Sequence, residues 1–81
     1  MSGRAKVSKA IRNIKGFRAE SGLNQADFWI PLGCTQSAGS RFENGRKIPT
    51  PTAILLVLRE QGIIDDEALK QAMRTVKASR K

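Results

Sequence analysis

Apolar residues in this chain recur at steps of three and four, and nowhere alternate at steps of two. That period belongs to the α-helix, where positions three and four apart share a face. The fold is therefore expected to be all-α. Val7, Ala10, Ile11, Ile14 and Phe17 make the stripe of a first helix, with Ser8 as its N-cap, Gly16 as a weak point and Ser21-Gly22 as its stop. Asn24 caps a second helix from Gln25 to about Leu32, with Phe28, Trp29 and Leu32 apolar. Pro31 lies too deep for the free first turn and should kink or shorten that helix. Gly33 ends it. Thr35 caps a third helix to about Glu43, which Asn44-Gly45 terminates. Ile48-Pro49 cannot continue a helix, whereas Pro51 suits the first turn of a fourth. Ile54 to Leu58 are apolar nearly all round, so the fourth helix should be the most buried. Gly62 ends it, and Asp65-Asp66 open a fifth with the stripe Leu69, Ala72, Met73 and Val76.

At 81 residues this is one small domain, near the size where a single core supplies only about 3–5 kcal/mol. Residues 1–6 read as a flexible basic arm, 7–77 as a five-helix domain, and 78–81 as a basic tail. The longest apolar run, Ala53 to Leu58, is too short to cross a bilayer, and no apolar signal segment follows the basic start. One cysteine and no histidine leave no internal disulfide, no metal-ligand set and no Ser-His or Cys-His pair. An enzyme is improbable on these grounds. Nothing calls for a cofactor, metal or small-molecule ligand, and a lone thiol suits a reducing cytoplasm.

Charge narrows the partner. Fifteen Lys and Arg against seven Asp and Glu give +8, an excess that favours nucleic acid or an anionic membrane. It is uneven: residues 1–18 hold six cations and 69–81 hold five, neither with an acid. Membrane binding would need an amphipathic basic helix, and only the first helix is a candidate.

Two short helices, a turn at Gly33-Cys34-Thr35 and a polar third helix make a helix-turn-helix over about residues 25–44. Gly22-Leu23-Asn24-Gln25-Ala26, then Leu32 to Ser37, then Ser40-Arg41-Phe42-Glu43-Asn44-Gly45-Arg46 and Pro49 resemble the Cro/cI-like (XRE) DNA-binding family. The resemblance covers about residues 11–60. It implies a lambda-repressor-like domain that binds operator DNA, most often as a two-fold dimer. The small size and the Phe28-Trp29 pair resemble phage or prophage regulators, of the anti-CRISPR-associated repressor kind.

On the third helix Gln36, Ser37, Ser40 and Arg41 fall near one face. Gln suits the adenine edge and Arg the guanine edge, and the resemblance implies base reading from Gln36, Ser37 and Arg41. The plain alternative is a solvated face. Gln25 and Asn24, at the start of the second helix, and Thr35, Asn44, Arg46 and Lys47, flanking the third, are candidates to hold backbone phosphates. Arg46 and Lys47 could equally be ordinary loop charges. Relatives carry a small residue where Trp29 stands and a branched one where Gly39 stands. This pair therefore reads as a volume-conserving swap within the core, the alternative being an exposed Trp29 that meets a partner. The resemblance also pairs Arg18 with Glu43, and leaves Cys34 a small apolar role in preference to a redox one.

A sequence-specific repressor acting as a homodimer is the favoured function. An antitoxin-type module binding a protein as well as DNA is the alternative. Ile63, Ile64, Leu69, Met73 and Val76 are the candidate dimer surface. They could instead only close the monomer core.

Overall fold

The computed structural model describes residues 8–80. The expected arm at 1–6, Val7 and Lys81 lie outside the described residues. Every regular element among those described is helical: α1 (Lys9–Arg12), α2 (Ile14–Ser21), α3 (Gln25–Trp29), a 3-10 turn (Ile30–Leu32), α4 (Gln36–Glu43), α5 (Thr50–Glu60) and α6 (Asp66–Ser79).

The expected first helix is two segments. The chain breaks at Asn13 (φ −140°, ψ 67°), whose side chain accepts from the Gly16 amide and so caps α2. Asn competes with the helix by bonding nearby backbone, which is why the break falls there and not at Gly16. Gly16 instead sits against the cap: a Cβ on it would stand 2.5 Å from Asn13 Nδ2, so the capping side chain would have to shift. Glu60, the last residue of α5, secures α1 from the other side. Its carboxylate accepts from the Ser8 hydroxyl and from the Lys9 and Ala10 amides. The Ser8 bond holds the Glu60 carboxyl below its ordinary range against the opposing effect of burial, with lesser help from the two amides and the Lys9 charge.

The second helix is shortened by Pro31. It ends at Trp29 and tightens into the 3-10 turn, because proline offers no amide for an α-type bond and its ring crowds the carbonyl four residues back. α5 departs further from expectation. It buries only Thr52 and Leu56 fully, and Ile54 is 55% exposed. A helix apolar all round has one face more than so small a domain can cover.

The core gathers Ala10, Ile14, Phe28, Trp29, Leu32, Phe42, Leu56 and Leu69. Trp29 lies at its centre, edge-on to Phe28 at 5.2 Å and tilted against Phe42 at 5.3 Å. The Arg59 guanidinium caps this stack, 5.0 Å from the Phe28 ring centre. α6 closes the domain by seating Leu69 against the 3-10 turn. It stays helical to Ser79, two residues past the expected boundary of the basic tail.

Candidate nucleic-acid interface

The helix-turn-helix is built by its turn. Gly33 takes φ +86°, and the Cys34 amide returns to the Trp29 carbonyl at 3.1 Å. That left-handed position suits glycine. Thr35 then caps α4 by accepting from the Ala38 amide at 3.0 Å. α4 buries Gly39 and Phe42. At about 100° per residue, the opposite arc carries Gln36, Ser37, Ser40 and Arg41. Gln36, Ser37 and Arg41 are exposed there, and Ser40 is half-buried.

Trp29 and Gly39 lock α3 onto α4. A Cβ on Gly39 would fall 2.2 Å from Trp29 Cδ1, and Trp29 itself is 0% exposed. Trp29 is therefore core and not a surface site. Its indole N–H donates to Glu43 Oε2 at 2.8 Å. The same carboxylate, with its side chain 2% exposed, accepts from Arg18 Nε at 2.6 Å, Arg18 Nη2 at 3.1 Å and Gln25 Nε2 at 3.2 Å. Arg18 also donates to the Leu23 carbonyl at 3.0 Å. Burial pushes the Glu43 carboxyl up. The bonds from Arg18, Trp29 and Gln25, with the Arg18 charge, more than reverse that and hold it below its ordinary range. One carboxylate thus fixes α2 and both ends of α3 to the end of α4. The Arg18 pairing came from the resemblance; the Trp29 and Gln25 donors were not foreseen.

The candidate phosphate contacts divide. Asn24 accepts from the Asp27 amide at 2.8 Å and caps α3, while Thr35 caps α4. Asn44 donates to the Ser40 carbonyl at 2.8 Å. Gln25 gives one amide hydrogen to Glu43 and keeps the other. Arg46 and Lys47 are exposed on the loop after α4.

The candidate dimer residues divide as well. Leu69 is 5% exposed and belongs to the core, and Ile64 packs against it. Ile63 is exposed. Met73 and Val76 line an apolar groove of about 710 Å³ with Ile30, Pro31 and Leu55, bordered by Thr35, Gln36, Lys77 and Arg80. A second apolar surface, formed by Ile48 before α5 and by Ala53, Ile54, Val57 and Leu58 on it, was missed. The signal was available, because α5 is apolar on every side. Cys34 is half-buried with Sγ 3.9 Å from Thr52 Oγ1, and burial pushes its thiol up.

The model of the RsaL-like HTH domain matches residues 15–59, from α2 through α5. The chain belongs to the RsaL-like HTH domain family. No curated protein and no solved structure matches the chain. The family match encloses the whole of α3, the turn and α4, so this is a helix-turn-helix DNA-binding domain. Among the described residues no helix is long and apolar enough to cross a membrane.

Proposed function

We propose that this RsaL-like domain is a sequence-specific repressor that places α4 in the major groove of an inverted-repeat operator, as a homodimer. One observation carries the reading. Gln36, Ser37 and Arg41 stand exposed on one arc of a helix whose opposite side is locked by Trp29, Gly39 and Glu43. Gln and Arg match adenine and guanine edges, and a helix held rigid can present them in register. Asn24, Gln25, Thr35, Asn44, Arg46 and Lys47 surround that helix as backbone grips. The Cro/cI-like motifs support the operator reading and a phage or prophage setting, in the bacterial cytoplasm. No residue set argues for an enzyme.

Selection of bound sequences from random duplex DNA tests this. An inverted repeat is expected, with half-sites about 10 base pairs apart or a multiple of that. Enrichment of no sequence would end the proposal.

For the dimer, the α6 groove around Met73 and Val76, extended by Ile63, competes with the α5 surface around Ile54. In a two-fold interface each patch meets its own copy, and Lys77 and Arg80 border the α6 groove while no charged residue lines the α5 surface. Met73→Asp and Ile54→Asp, compared by stoichiometry on the selected site, assign the face. The apolar groove beside α6 favours one second reading, an antitoxin-type module. In that case Met73→Asp would leave DNA-bound dimers intact and abolish binding of a protein encoded beside this one.

A further inference from the structure

The fold sorts its cations in a way that sequence order hides. Lys9 pairs with Glu20, Arg18 with Glu43, Arg59 and Lys70 with Asp66, and Arg74 with Glu67. Arg12, Lys15, Arg41, Arg46, Lys47, Lys77 and Arg80 make no ion pair among the described residues. Four of these, Arg12, Lys15, Arg46 and Lys47, line one cleft of about 410 Å³ between the α1–α2 joint and the loop after α4, where the one carboxylate, Glu43, is buried and already paired with Arg18. Ile11, Ile14, Phe42 and Ile48 supply its apolar wall. Like charges gathered on a low-dielectric wall repel one another and focus a positive potential into the opening. The break at Asn13 and the left-handed Gly45 shape its two sides.

We infer that this cleft is a second DNA-backbone grip, in which Arg12 and Lys15 join Arg46 and Lys47 in holding phosphates of the strand that borders the C-terminal end of α4. The inference rests on the duplex-binding reading above. It adds two contacts from α1 and α2, outside the helix-turn-helix. A diester phosphate suits the site because an array of four cations, open at the surface, matches spaced single charges along a strand.

The test is titration of a random-sequence duplex over a range of salt, with helicity checked by circular dichroism. Arg12→Ala and Lys15→Ala should each lower affinity roughly eightfold per protomer at ~0.1 M salt, and reduce the salt slope by about 0.9 per protomer. Lys15→Arg should bind like the parent. Arg74→Ala removes the same unit of charge from a paired site on α6 and should leave both quantities unchanged. Inorganic phosphate at fixed ionic strength should displace no more DNA than chloride does. Parent-like binding by Arg12→Ala and Lys15→Ala would overturn the assignment. So would an equal loss in Arg74→Ala, which would mean that only net charge matters, or selective displacement by inorganic phosphate. If the unaltered protein bound no duplex at all, the DNA reading itself would fall and the cleft with it.

Discussion

Trp29 occupies the space that a side chain at position 39 would need: a Cβ on Gly39 would stand 2.2 Å from Trp29 Cδ1 and 2.3 Å from Cγ. The indole cannot yield, because Phe28 and Phe42 pack on it and Glu43 holds its N–H. Gly39→Ala should therefore destabilise the fold, although alanine is the better helix former. Overpacking of about 3 kcal/mol outweighs about 1 kcal/mol of helix propensity. Trp29→Ala alone should cost about 3–5 kcal/mol through the cavity it leaves. Gly39→Val combined with Trp29→Ala should recover much of that, since contacting residues are not additive. Urea midpoints of the parent, Gly39→Val, Trp29→Ala and the double variant measure the coupling, and simple additivity would show that the two side-chain volumes are independent.

Glu43 gives the fold an acid limit. Its folded carboxyl lies below its ordinary value of about 4.3, because Arg18, Trp29 and Gln25 stabilise the anion more than burial opposes it. A depressed acid contributes stability that is complete above the unfolded value and drains away as pH falls through the folded one. Urea midpoints should hold above about pH 5 and drop below about pH 4. Trp29→Phe keeps most of the ring but removes one donor, which raises the folded value, so its decline should be shallower and end at higher pH. Arg18→Ala should cost about 3 kcal/mol at neutral pH by leaving a buried carboxylate short of its cation. A flat midpoint down to about pH 3 would mean that the folded Glu43 carboxyl is not depressed.

Much of this was legible in the sequence because helices announce themselves by period and by their caps. Ser8, Asn24, Thr35 and Asp65 each accept the amide that an N-cap should. Gly22, Gly33, Gly45 and Gly62 take the left-handed φ expected at the stops. The volume exchange between Trp29 and Gly39 could be inferred because one residue was too large and the other too small for a known pairing. The break at Asn13 could not, since an Asn within an apolar stripe has the same neighbours whether it faces water or caps the next turn. Periodicity likewise says that Ile54 and Leu56 are apolar, not which one the domain has room to bury. The four-donor site on Glu43 and the sorting of paired from unpaired cations depend on distances between elements far apart in the chain.

Cys34 should be a slow thiol. Burial disfavours its thiolate, and the Thr52 hydroxyl at 3.9 Å only partly offsets this. Alkylation at neutral pH should run more slowly than that of a free cysteine, whose thiol titrates near 8.5. The rate should still be climbing where the free thiol has levelled off. A rate equal to the free thiol would place Cys34 in solvent and would reopen a redox role.

The last prediction separates reading from gripping. Arg41 and Gln36 are exposed on the arc of α4 that faces away from the core. Arg41→Ala should cost about 1–3 kcal/mol on the selected site and relax preference at one base pair per half-site, with Gln36→Ala acting at a neighbouring position. Arg46→Ala should weaken the selected site and random DNA alike and lower the salt slope by about one per protomer, because phosphates carry no sequence. Gln25→Ala should also weaken both. Its side chain is neutral, so the slope should stay, and because it gives up a bond to Glu43 it should also cost about 1.5 kcal/mol of stability. Arg41→Ala, Gln36→Ala and Arg46→Ala touch no part of that network and should unfold where the parent does. Binding isotherms on the two DNAs, paired with urea midpoints, resolve all four. If Arg41→Ala lost specific and non-specific affinity equally while keeping its midpoint, α4 would lie along the backbone and not in the groove.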